Sequence, residues 1–99
     1  MNILISEFAQ KELNDGIFYY ELQQRGLGLR FKREVRESIN RIKKNPDAWP
    51  KERGEVRKYL VHKFPFKILY SVQDQNIIIL AIGHQHRKPG YWIEDVGET

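Results

Sequence analysis

Apolar residues recur every three or four positions in the first half of the chain and at every second position in much of the second half. Ala9, Leu13, Ile17 and Tyr20, continued by Gln24, form one stripe of a helix that starts at Glu7 behind an N-cap at Ser6 and runs to about Gln24. Asp15-Gly16 is a turn-prone pair, and a mid-helix glycine costs about 1 kcal/mol relative to alanine. The period nevertheless continues through it and predicts one unbroken helix. After the break at Arg25-Gly26-Leu27-Gly28, Phe31, Val35, Ile39 and Ile42 resume the helical spacing, with Arg33, Glu37 and Arg41 down the opposite face. This second helix stops at Lys43-Lys44-Asn45-Pro46, where cations complement the helix dipole, Asn tolerates a left-handed cap and Pro cannot continue the helix. The pattern predicts an αα-hairpin.

Strand signals surround this hairpin. Asn2 to Ile5 fits a short edge strand, and Asp47 to Glu55 reads as a loop holding Trp49 and Pro50. Val56 to Val72, then Ile77 to Ile82 after the Gln73-Asp74-Gln75-Asn76 turn, read as a three-strand meander rich in Val, Ile and Tyr. With Phe64-Pro65 at the hairpin tip, Lys63 pairs with Phe66, Val61 with Ile68 and Tyr59 with Tyr70. Alternation then puts Tyr59, Val61, Phe66, Ile68, Tyr70 and Val72 on a face for the helices. Lys58, Leu60, His62, Lys67, Leu69 and Ser71 take an open face. The third strand is apolar on both sides, as in a covered central position, and delivers His84 and Arg87 to the rim of the open face. Pro89 to Ile93 suggests a helical turn docking aromatic rings onto the sheet, and Asp95 to Thr99 a frayed end. The expected fold is α+β: a strand, then a two-helix hairpin packed on a mainly antiparallel four-stranded sheet.

Composition narrows the setting. Ninety-nine residues make a single domain, 1–99, large enough for one modest core. The chain has no cysteine, so a disulfide framework and a thiolate metal site are excluded and a cytoplasmic location is expected. Met1 to Glu7 lacks the basic region and long apolar stretch of a secretory signal, and no segment approaches the roughly 20 apolar residues of a membrane span. Seventeen Lys+Arg against 13 Asp+Glu leave a net charge of +4. Between Val56 and Pro89 the only acid is Asp74, against Arg57, Lys58, Lys63, Lys67, Arg87 and Lys88. That asymmetry favours an anionic partner, either nucleic acid or an acidic protein segment.

The candidate chemistry has competing readings. Lys58 and Lys67 on an open face either serve a site or merely guard the sheet against edge pairing. His84 and His86 lack a third metal ligand, and neither a metal nor a cofactor is expected. Tyr19, Tyr20, Trp49, Tyr91 and Trp92 could stack bases, but aromatics on a small fold are more often core; Trp92 is expected to pack under the C-terminal turn, and Tyr91 fits either role. No Ser-His-Asp arrangement or phosphate-cradling glycine loop can be argued.

Taken in order, Arg57, the Phe64-Pro65-Phe66 turn, Ile68, Tyr70, Asp74, and His84 through Arg87 to Pro89, Tyr91 and Trp92 resemble the RelE/ParE superfamily of toxins from type II toxin-antitoxin modules, including plasmid-stabilisation toxins. The resemblance covers nearly the whole chain. It implies a growth-inhibiting toxin neutralised by a cognate antitoxin that lays an acidic or amphipathic segment over it. Two activities divide the superfamily: ParE-like inhibition of DNA gyrase and RelE-like cleavage of messenger RNA on the ribosome. For a ribonuclease the resemblance puts the catalytic roles on Lys58, Lys67, Arg87 and Tyr91. Lys58 would serve as base, Arg87 would stabilise phosphate charge, and Tyr91, His84 or His86 would donate the proton. Leu60 stands where ribonuclease members carry a second basic residue, and the spacing from His84 to Arg87 looks more like the ParE type. The implied reading is therefore a gyrase inhibitor with Arg57, His62, Lys63, His84, His86 and Trp92 as contact residues. The alternatives are the ribosome-dependent endoribonuclease and an inactive member retained as an antitoxin-binding partner.

Overall fold

The computed structural model describes residues 1–96. Its elements follow the order β1 Asn2–Ile5, α1 Glu7–Gln23, α2 Leu27–Lys44, β2 Lys51–Arg53, β3 Val56–Leu60, β4 Phe66–Gln73, β5 Asn76–His84 and α3 Ile93–Val96. The predicted α+β class and two-helix hairpin are present. The sheet is five-stranded and mixed, in the order β1-β5-β4-β3-β2, with β1 parallel to β5. The additional strand is β2, which falls inside the stretch expected to be a loop. Three residues paired across a register shift to Arg57 and Val56 leave too short a pattern to read from sequence. At the other end Asp95 belongs to the last helical turn rather than to a frayed end, while residues 97–99 of that expectation lie outside the described residues.

Ser6 caps α1 as expected, its hydroxyl accepting from the Ala9 amide at 3.0 Å. Gly16 does not break the helix because its bare backbone is what lets α2 approach: a Cβ there would sit 2.7 Å from Phe31 Cε2. Gly26 turns the chain with φ 87, a left-handed conformation that glycine adopts without steric cost. The Glu21 carboxylate then accepts from the Gly26 and Gly28 amides at 2.9 and 3.0 Å, capping α2 where Gly26 has no side chain to do so.

The main core lies between the hairpin and one face of the sheet. Ala9, Leu13, Phe31, Val35 and Ile42 meet Tyr59, Val61, Ile68, Tyr70, Ile77, Ile79 and Ile82. Full burial of each large aliphatic contributes about 2 kcal/mol. Ile79 and Ile82 share that face because the β4–β5 register shifts between Leu69↔Ala81 and Tyr70↔Ile79, leaving Leu80 as an extra residue.

The β3–β4 hairpin departs from the expected register. Tyr70 faces Arg57 rather than Tyr59, and Ile68 faces Tyr59 rather than Val61. The expected tight tip is a wider loop, closed by the Val61 amide on the Phe66 carbonyl at 2.9 Å and turned through a left-handed Lys63. The physical reason is Phe64, which folds back against Tyr20 and Phe31 at centroid distances of 4.9 and 5.2 Å instead of standing at the tip. Displacement by two residues preserves parity, so the apolar set still meets the helices.

The second face, expected to be open, is covered over Lys67, Leu69 and Ser71 and stays exposed at Leu60 and His62. The segment after β5 folds back so that Trp92 packs with Leu69 and Ala81, joined by Phe8, Val56, Leu80, Tyr91 and Ile93. The expected docking of C-terminal aromatics thus occurs on the side read as exposed.

Candidate interaction site

Alternation along the strands predicts Lys58 and Lys67 on one open face; the fold separates their roles. Lys67 lies in β4 opposite Leu60 and Gly83, under the C-terminal segment, and is only 3% exposed. Its ammonium lies 3.5 Å from Glu52 Oε1 and donates to the Arg87 carbonyl at 2.9 Å. A cation so buried requires such partners, because desolvation otherwise costs several kcal/mol. Lys58 keeps partial exposure, 4.0 Å from the same Glu52 oxygen. The acids that the linear sequence set apart from the meander therefore return to it in space, through β2.

A second acid arrives from α1. β1 ends at Ile5, so the outer edge of β5 beyond Ile79 lacks a strand partner. α1 runs past that edge, and Glu12 supplies the missing acceptor: Oε1 takes the Ile82 amide at 2.6 Å. Its other oxygen accepts from the Tyr91 hydroxyl at 2.7 Å. Burial raises the Glu12 pKa above the ordinary carboxylate range, outweighing the opposing hydrogen bonds from Tyr91 and Ile82 and the charge of Arg87. Burial likewise raises Tyr91, reinforced by its hydrogen bond to Glu12 and that residue's charge. Tyr91 is therefore a weaker acid than a free phenol, with its proton already committed. Gly83 makes this placement possible, since a Cβ there would collide with the Tyr91 hydroxyl.

Arg87 is exposed, with its guanidinium carbon 4.2 Å from the centroid of the Tyr91 ring. Around it stand the exposed His84, His86 and Lys88. The β3–β4 loop closes on this end of the sheet, since Phe66 pairs with His84 and the Gln85 amide donates to the Pro65 carbonyl at 2.8 Å. That brings the exposed His62 and Lys63 to the same end. The rim so formed carries no acid in either segment, Val61 to Phe66 or Gly83 to Pro89. Such a surface suits an anionic partner.

Two expected contact residues do not belong to this rim. Arg57 donates to the Trp49 and Asp47 carbonyls at 2.6 and 3.3 Å, and lies 3.6 Å from the Asp47 carboxylate, so it holds the α2–β2 connection. Trp92 is buried, as expected from its packing role, and presents no contact surface. His84 and His86 lie with ring centroids 5.2 Å apart, and no group of three metal-binding side chains occurs among the described residues. None of the described helices is long and apolar enough to cross a membrane.

Glu12 and Glu52 were not singled out from sequence. A faint signal existed for each: Glu12 follows Phe8 by one helical turn, and Glu52 alternates with Lys51 and Arg53 as strand residues do.

Comparison with known proteins agrees with this architecture. A search of curated proteins finds no match. Among solved structures, one described as the chromosomal ParDE TA system from P. aeruginosa superposes with a TM-score of 0.74 at 20% identity. The alignment covers 85% of this chain and 95% of that one, a likeness of fold. The family model for the ParE toxin of the type II toxin-antitoxin system, parDE, matches residues 3–89. With the α1–α2 hairpin, β2 to β5, nearly all of β1 and the rim inside that span, the chain belongs to the ParE toxin family of type II toxin-antitoxin systems.

Proposed function

We propose that this toxin acts by binding rather than by cutting RNA, with DNA gyrase as its target and the rim around Arg87 as its contact surface. One observation carries the reading: Lys67, the β4 cation on which a ribonuclease would rely, is buried between Glu52 and the Arg87 carbonyl. A cation committed in this way cannot neutralise charge developing on a bound phosphate without first losing those partners. Two further positions weaken the ribonuclease reading. The Tyr91 hydroxyl is engaged as a hydrogen-bond donor to Glu12, and Leu60 rather than a base faces Lys67 across the strands. What remains accessible is Arg87 with His62, Lys63, His84 and His86, a set suited to recognition of an acidic protein surface.

A cognate antitoxin would neutralise the toxin by covering it. Exposed apolar side chains at the hairpin end, Phe18 and Leu22 of α1 and Leu29 of α2, are anchors for an amphipathic segment of opposite charge to the neighbouring Arg25, Arg30 and Arg33.

The deciding experiment compares two assays on one preparation: gyrase-dependent supercoiling of plasmid, and codon-positioned messenger cleavage in a translating extract. Inhibition of supercoiling without cleavage is the expected result. Cleavage abolished by Arg87→Ala would establish the ribonuclease instead, and failure of expression to slow growth would identify an inactive member.

A further inference from the structure

We infer that Lys67 and Tyr91, two of the ribonuclease positions, form a mount that holds a third, Arg87, at two points: Lys67 clamps its backbone, and Tyr91, latched by Glu12, supports its guanidinium. The inference rests on the binding reading of the rim and names what positions its central residue.

Arg87 follows β5 in a segment without regular structure, Gln85 to Pro89, and an exposed arginine there would ordinarily sample many rotamers. Two sets of contacts restrict it. The Arg87 carbonyl accepts from Lys67 Nζ at 2.9 Å, and Lys67 is fixed in β4 and balanced by Glu52 from β2. The Arg87 amide donates to the His84 carbonyl at 3.0 Å, completing the turn. The side chain then lies on the Tyr91 ring at 4.2 Å. A flat guanidinium on an aromatic face gains both cation–π attraction and stacking.

The platform is itself held. The Tyr91 hydroxyl bonds Glu12, whose second oxygen is tied to the β5 backbone, and Phe8 from the preceding turn of α1 lies 6.1 Å from the Tyr91 ring. Gly83 clears the space beneath the hydroxyl. Thus α1, β2, β4, β5 and the C-terminal segment all contribute to the position of one exposed cation. Such fixation lowers the side-chain entropy lost on binding, and arginine is among the residues most often dominant at interfaces.

Glu12, Lys67 and Tyr91 are accordingly positioning residues, acting through Arg87. A double-mutant cycle separates this role from general structural support. Wild type, Tyr91→Leu, Arg87→Ala and the double variant would be compared for gyrase inhibition, with Tyr91→Phe as the variant that keeps the ring. Tyr91→Leu is expected to weaken inhibition roughly threefold to tenfold when Arg87 is present, by loss of the cation–π support. In the Arg87→Ala background it should do so less than about twofold, because sites that act only through one another are not additive. Equal losses in both backgrounds would overturn the mount.

Nuclear magnetic resonance of the Arg87 Nε–H group in the free protein keeps this test independent of the target. Restricted motion in wild type, loosened in Tyr91→Phe by loss of the Glu12 latch and lost in Tyr91→Leu, supports the mount even if gyrase proves not to be the target. Free motion of Arg87 in wild type overturns it even if gyrase is inhibited.

Discussion

Glu52 and Lys67 form an ion pair at 3.5 Å with both side chains withdrawn from solvent, their exposures being 6% and 3%. Removing one member leaves an uncompensated buried charge, whereas replacing both with apolar residues of similar size leaves none. Lys67→Met is therefore expected to destabilise the protein by about 3 kcal/mol, and the double variant Lys67→Met, Glu52→Leu to recover most of that loss. Chemical denaturation of the three proteins checks this. Equal stability of Lys67→Met and wild type would mean that the pair is solvated.

The Glu12 carboxyl gives a pH signature. Burial raises its folded pKa, so the folded protein holds the proton more tightly than the unfolded chain does. The contribution to stability is complete below the ordinary glutamate value of about 4.3 and is lost as pH rises through the raised folded value. Relative to Glu12→Gln, wild type should therefore lose stability as pH climbs from about 4 towards neutrality. Urea unfolding across that range measures the difference, and a trend in favour of wild type would contradict it.

Gly16→Ala sets two effects against each other. Alanine is favoured in a helix interior by about 1 kcal/mol. The new methyl, however, would stand 2.7 Å from Phe31 Cε2, within a fully buried contact between α1 and α2. Overpacking of this kind costs about 1 to 3 kcal/mol, so a net loss of stability is expected despite the better propensity. A rise in melting temperature would show that Phe31 moves aside freely.

Leu60→Lys restores the second basic residue expected of a ribonuclease on that strand. Because Lys67 remains engaged by Glu52 and Arg87, the substitution should produce no messenger cleavage in a translating extract. Codon-positioned cleavage by this variant would show that a single residue separates the two activities.

The hairpin and most of the sheet were legible because their signals are local. Ser6, the spacing of Ala9 and Leu13, and the stop at Asn45-Pro46 each act within a few residues. Face assignment on β3 and β4 also survived, because an error of two residues retains parity. The exact register did not, since Phe64 turns into the core through contacts with Tyr20 and Phe31 that no local pattern encodes. β2 was missed because Lys51–Arg53 is too short to show a period. The site was the least legible part. Arg87 and the surrounding histidines were readable as an accessible basic cluster. The burial of Lys67 depends on Glu52 and the returning Tyr91-Trp92 segment, distant in sequence and close only after folding.

Titration of gyrase supercoiling with wild type and Arg87→Ala decides whether the rim around Arg87 is the contact surface. Inhibition by wild type is expected, with a loss of at least about tenfold in Arg87→Ala as for an interface hot spot, and unchanged melting of that variant. Undiminished inhibition by Arg87→Ala, or messenger cleavage by wild type with no effect on gyrase, would contradict it.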